Sequence, residues 1–237
     1  TTRKEMVSRL EVAAWAGGCA VVGCGVLAFE QQRTRRQRSE IESQLDAGRA
    51  ARQRGDTEAA ARDLRRCSDA VAQGRATDRA RAVVAIEMAD AYEAAKSEAS
   101  FPLTEAERRV EAALREDSRE DDPREARRRR AILLDRLASL AQTKGDLDRA
   151  AALYREAVTT LGGGGQTVDR SLAFDLAGVM HNYATCDFQR SGDPTRALVV
   201  LDQALAFCDL VQDQPRRKAC QTNVNDLRAY LRRDTNI

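Results

Sequence analysis

The sequence predicts an all-α protein: a single transmembrane helix near the N-terminus, then an α-solenoid of about four helical hairpins, closed by a C-terminal capping helix. Three observations carry this. An uncharged run fills residues 12–29. The remainder is rich in alanine and arginine, and only 4% of residues are aromatic, which suits helices packed through small side chains better than sheets. A Gly-Asp pair recurs at 55–56, 145–146 and 192–193, each time ahead of the same apolar spacing.

Residues 1–11 form a short N-terminal arm and 12–30 the span. At 1.5 Å per residue the uncharged stretch reaches about 27 Å, roughly the thickness of a bilayer core. An amphipathic soluble helix would place polar residues every third or fourth position, and this run has none. Two alternatives stand beside the span: a buried helix, and a lipoprotein signal, because VVGC at 21–24 follows the basic Arg3, Lys4 and Arg9. Ala16, Ala20, Cys24 and Ala28 recur every four residues, with Gly17 and Gly25 on the adjoining face. In lipid such a ridge lets a second helix approach closely, so this is the expected contact with other subunits of a membrane complex. Residues 31–40 are a basic juxtamembrane segment. Its Arg33, Arg35, Arg36 and Arg38 outnumber the basic residues before the span and are expected to meet lipid headgroups and set topology. The count favours a C-terminal part that is not translocated. The chain opens on Thr1 and Thr2 without a methionine, from which we expect that an upstream segment has been removed.

Residues 41–209 are expected to hold the hairpins, in units near 41–73, 78–116, 123–160 and 167–209, and residues 210–237 the cap, helical from about 215 to 233, with a tail. The stretches RGDTEAAARDLRRC (54–67), KGDLDRAAALYREAV (144–158) and SGDPTRALVVLDQAL (191–205) share one pattern. An alanine lies five residues after the glycine, a large apolar residue four further on, and a small residue three after that. This resembles the tetratricopeptide repeat (TPR), a helix-turn-helix unit in which the glycine ends helix A and the aspartate caps helix B. The resemblance implies that Ala60, Ala150 and Ala197 sit where the two helices of a hairpin touch. It places Gly48 before the first turn and Leu134, Leu137 and Ala138 before the second. His181, Ala184 and Phe188 fall at the family's usual tryptophan, leucine and tyrosine positions. Met88, Ala89 and Tyr92 belong to a more degenerate unit with Ala106, Val110 and Ala113. The last two Gly-Asp turns are 47 residues apart, which is similar to the longer-helix repeats of kinesin light chains and of a mitochondrial repeat protein that assists the bc1 complex.

No motif for chemistry emerges. With 39 basic and 37 acidic residues interleaved, there is no field to gather nucleic acid. LGGGGQT (161–167) lacks the lysine of a phosphate loop and reads as a linker. REDSREDDPREARRRR (115–130) lacks the alternating spacing of a calcium loop and reads as a solvated face or a docking patch, with Asp121 or Asp122 and Pro123 starting a helix. His181 is the only histidine and is expected to pack between helices. The six cysteines show no CxxC pair and are expected to be free structural thiols, as in a reducing compartment. No cofactor, metal, nucleic acid or small-molecule substrate is expected, and no catalysis.

The resemblance implies a concave groove lined by Leu45, Arg49 and Arg52; Ile86, Asp90 and Glu93; Asp135, Ser139 and Gln142; and Asn182, Cys186 and Gln189. Of these, Arg49, Arg52, Asp90, Asp135, Asn182 and Gln189 are the candidate partner-binding residues. The functional expectation is a non-catalytic scaffold: an accessory subunit of a mitochondrial inner-membrane respiratory or ATP-synthase complex, with the repeats in the matrix. The alternatives are an assembly factor for such a complex, or a bacterial inner-membrane module binding translocating or unfolded clients.

Overall fold

Each Gly-Asp pair builds a turn whose backbone requires glycine. Gly55, Gly145 and Gly192 adopt φ of 76°, 83° and 67°, where a Cβ would clash with the chain's own carbonyls. At the first two turns the amide of Asp56 reaches Ala51 O at 3.0 Å and that of Asp146 reaches Ala141 O at 3.0 Å. The glycine amides bond three residues back, the Schellman arrangement. The third turn is simpler: Gly192 N reaches Phe188 O at 2.8 Å, and Pro194 starts the next helix. Each aspartate then caps helix B. Asp56 Oδ1 accepts from Ala59 N at 3.0 Å, Asp146 Oδ1 from Arg149 N at 3.2 Å and Asp193 Oδ1 from Thr195 N at 2.9 Å. Asp122 caps ahead of Pro123 in the same way, accepting from Arg124 N at 2.9 Å.

A computed structural model describes residues 39–71, 78–95, 103–116, 122–162 and 169–234. The span at 12–30, its small-residue ridge (Ala16, Gly17, Ala20, Cys24, Gly25, Ala28) and Arg33, Arg35, Arg36 and Arg38 lie outside them. The described residues are helical and connecting segments, without strands. In order, α1 covers 39–53, α2 Thr57–Ala70, α3 Asp78–Ala95, α4 Leu103–Glu116, α5 Pro123–Thr143 and α6 Leu147–Gly162. A 3-10 turn at Arg170–Leu172 leads into α7 (Ala173–Ser191), followed by α8 (Pro194–Leu210) and α9 (Gln214–Asp234). Among these residues no helix is long and apolar enough to cross a membrane.

Consecutive helices pair as hairpins, and each hairpin packs on the next. The small residues at the crossings are buried as the spacing predicts: Ala60, Ala150 and Ala197 are at most 1% exposed. At Gly48 a Cβ would come within 3.1 Å of Leu64 Cγ, so α1 and α2 are in close contact there. Two apolar cores form. One joins α1–α4, the other α6–α9, and α5 belongs to both: Leu133, Leu137 and Leu140 face the first, Ala131, Leu134, Ala138 and Ala141 the second.

The free-thiol expectation fails at two cysteines. Cys208, in the last turn of α8, forms a disulfide with Cys220 of α9, across a Cα–Cα distance of 5.9 Å. Both occupy apolar helical positions, and the antiparallel packing of α9 on α8 brings them together. Cys67 and Cys186 are free and buried. Burial, with the charge of Asp63, pushes the Cys67 thiol up to about 11.

The arginine run of α5 lies on a solvated face, where several of its members are nonetheless paired. Arg128 Nε donates to Asp175 on α7 at 2.6 Å, Arg130 pairs with Glu156 on α6 at 3.0 Å, and Arg124 lies 3.8 Å from Asp169. These arginines tie α5 to the helices that follow it.

Candidate functional site

The first helices of the hairpins, α1, α3, α5 and α7, share one face. Among the described residues α3 packs on α5 and α5 on α7, whereas α2, α4, α6 and α8 make no comparable contacts with one another. Helices that crowd together on one side of an array lie on the inside of its curve. The candidate groove therefore lies along α1, α3, α5 and α7.

The charged groove residues form a continuous ladder across this face. On α1, Arg49 Nε donates to Glu87 of α3 at 2.6 Å and Arg49 Nη1 lies 3.4 Å from Asp46. Arg52 reaches Glu87 at 3.1 Å and Asp90 at 3.2 Å. Asp90 also accepts from Arg136 of α5 at 2.5 Å, and Arg136 in turn donates to Asp135 at 2.6 Å. Asp135 then accepts from Asn182 Nδ2 of α7 at 3.0 Å. Four helices are thus linked side chain to side chain. Burial raises the pKa of Asp135 above the ordinary carboxylate range, with the nearby Asp90 charge acting in the same direction, while Arg136 and Asn182 oppose it. Partly buried ion pairs of this kind contribute more to a fixed arrangement than to net stability.

Beyond the ladder the face opens into a recess of about 450 Å³ between α5 and α7. Arg136, Ser139, Gln142 and Thr143 line it from α5, Tyr154 from α6, and His181, Asn182, Thr185 and Gln189 from α7. Tyr154, otherwise buried, donates its hydroxyl to Gln142 Oε1 at 3.0 Å, and Gln142 Nε2 donates to Gln189 Oε1 at 2.7 Å. The recess is more polar than apolar, which suits a peptide or side chain with hydrogen-bonding groups.

Arg49, Arg52, Asp90, Asp135 and Asn182 are brought together in the ladder, and Gln189 stands at the recess. Leu45 and Cys186 are buried: Cys186 Sγ points at Leu147 O, 3.7 Å away, and burial raises its thiol pKa. The side chain of Glu93 lies outside the described set. His181 departs from its expected place between helices: it is half-buried and lines the recess. Glu87, Arg136, Tyr154 and Thr185 are additions that sequence reasoning missed. A signal for the charged ones existed. Arg49 and Glu87 are 38 residues apart and Asp90 and Arg136 are 46 apart, each near one repeat length, with opposite sign.

Among the described residues no three His, Cys, Asp or Glu side chains converge as a metal site would need. No family model matches the sequence, and no curated relative does. Among solved structures, the fold is similar to a protein of Podosopora anserina described as a kinesin light chain with nearly identical TPR-like repeats. The TM-score is 0.57 and the identity 20%, over 82% of this chain and 91% of that one. A variant of that same protein, carrying a glutamine-to-methionine substitution, aligns with a TM-score of 0.59 at 19% identity, over the same shares of both chains. The likeness is one of fold: the chain builds a TPR-like helical repeat solenoid.

Proposed function

We propose that this protein is a non-catalytic docking array, tethered to a membrane by residues 12–30, whose inner face receives a segment of a protein partner. The observation that carries the proposal is the recess between α5 and α7: a polar concavity beside a ladder of ion pairs that holds its walls at fixed spacing. Preorganised walls lower the ordering cost of binding. The reading needs no catalytic group.

Within it, the chain is an accessory subunit of a membrane complex such as a mitochondrial respiratory or ATP-synthase assembly, with its small-residue span packed against a neighbouring helix. The disulfide favours a second placement over the matrix side that the arginine count suggests. Disulfides persist in oxidising spaces, and Cys208–Cys220 supports an array facing the intermembrane space, or the periplasm if the protein is a bacterial client-binding module.

Isolation of the tagged full-length chain in mild detergent tests the function. A subunit remains stoichiometric with one complex, and a client-binding module appears with many substoichiometric partners. Ser139→Arg with Gln189→Arg fills the recess and is expected to abolish capture in either case while the fold persists. Undiminished capture by this double variant would remove the recess from the function. Protease added to sealed vesicles of known orientation decides the side.

A further inference from the structure

We infer that the recess between α5 and α7 is a site for a neutral primary carboxamide, the end group of a glutamine or asparagine on the docked segment. The inference rests on the docking reading and names the chemistry of what docks.

A relay of amides leads into the recess. Tyr154, anchored in the core, donates its hydroxyl to Gln142 Oε1 at 3.0 Å, and Gln142 Nε2 donates to Gln189 Oε1 at 2.7 Å. Each step fixes which end of the next amide points onward. The relay stops at Gln189, whose amide nitrogen keeps both of its N–H groups for a ligand, while Gln142 keeps one. Acceptors line the same recess. Thr143 donates its hydroxyl to Ser139 O at 3.0 Å, and Thr185 donates its hydroxyl to His181 O at 3.1 Å. Such back-bonding within a helix uses the only proton each hydroxyl has and leaves oxygen lone pairs for a ligand. The Ser139 hydroxyl can turn to donate or to accept. Asn182 is engaged on both sides, its amide nitrogen donating to Asp135 at 3.0 Å and its carbonyl oxygen 3.4 Å from His181 Nδ1.

The lining thus offers donors and acceptors together, and its one guanidinium, Arg136, is already held by Asp90 and Asp135. A carboxylate would suit the Gln189 amide but set lone pairs against the threonine oxygens. An ammonium would suit the threonines but meet the N–H groups of Gln142 and Gln189. Either ion would also give up water without a counter-charge of its own. A primary carboxamide conflicts with neither set: its carbonyl accepts from the Gln189 amide, and its two N–H groups match the two threonine oxygens. It becomes the next member of the relay, polarised by the amides before it. A main-chain peptide group has one N–H where the side-chain amide has two, which makes the side chain the better match.

His181 lines the recess and is the only histidine, so its ring reports on the site without ambiguity. The test uses full-length protein labelled with 15N-histidine and four probes: acetyl-Ala-Gln-Ala-N-methylamide and the same peptide with glutamate, methionine or alanine at the centre. Glutamate and methionine match glutamine in size, alanine leaves the main chain alone, and the N-methylamide keeps a second primary amide out of the probe. The glutamine peptide should move the His181 ring signals saturably, with an affinity at least about tenfold above that of each of the other three. Gln189→Met keeps the side-chain length and removes the amide at the end of the relay. It should weaken the glutamine peptide by about threefold or more with an unchanged thermal melt, since Gln189 is exposed. Equal or tighter binding of the glutamate or methionine peptide overturns the inference, and equal binding of the alanine peptide overturns it in favour of main-chain recognition. So does undiminished glutamine binding by Gln189→Met, or silence toward all four peptides. If the recess-filling variant still loses its partner while glutamine shows no preference, docking stands and the carboxamide is discarded.

Discussion

Glu107 of α4 accepts from Lys144 at the α5–α6 turn and from Arg149 Nη1 of α6 at 2.5 Å. Burial acts to raise its pKa, but the hydrogen bonds and charges of Lys144 and Arg149 together outweigh it and hold the carboxyl below its ordinary 4.5. The folded value is therefore lower than the unfolded one. The stability it contributes is fully present above 4.5 and is lost as pH falls through the depressed folded value. Glu107→Gln should accordingly flatten the loss of stability on acidification below that pH, measured as denaturant midpoints at pH 3 and pH 7. Parallel curves for variant and parent would show that Glu107 is not coupled in this way. At this scale the sequence displays residue types and hides partners. Glu107 looks like any surface acid, because what distinguishes it is a turn and a helix some 40 residues later.

The helices were legible because their signals are local. Gly-Asp demands a left-handed residue followed by a cap, and the alanine five residues on is small because another helix lies against it. Ala150→Trp should overpack the α5–α6 crossing and cost about 1–3 kcal/mol, read from denaturant melts against the exposed Ala152→Trp as a control. Equal melts for the two variants would misplace the crossing. The disulfide was not legible. Cys208 and Cys220 are 12 residues apart on different helices, and only the packing of α9 on α8 makes them neighbours. His181 was misjudged for a related reason: its repeat position fits a packed side chain, while the recess it lines is formed only where α7 lies beside α5. Opening the disulfide by Cys208→Ser with Cys220→Ser should lower stability by about 3 kcal/mol on the loop-closure model, with fraying of α9 seen first in hydrogen exchange. Unaltered protection of α9 would show that packing alone secures it.

Across the whole molecule, the ladder couples hairpins that the two cores already stack. A double-mutant cycle on Asp90 and Arg136 should return a coupling of about 0.5–3 kcal/mol, read from urea midpoints of Asp90→Ala, Arg136→Ala and the pair. Additive effects would mean that the ladder joins nothing. Five of the expected groove positions, Arg49, Arg52, Asp90, Asp135 and Asn182, meet in the ladder, whereas Leu45 and Cys186 are buried. Their closure into a network was not legible, because side-chain reach across helices has no signature in the sequence. The two-sided burial of α5 gives the assembly a mechanical character. A chain of hairpins ordinarily has seams where it can part, yet here the middle helix buries Leu133, Leu137 and Leu140 on one side and Ala131, Leu134, Ala138 and Ala141 on the other. Tension applied along the array has no natural break at its midpoint, so a pull on one end is felt as a displacement at the other, as in a rod and not a string of beads.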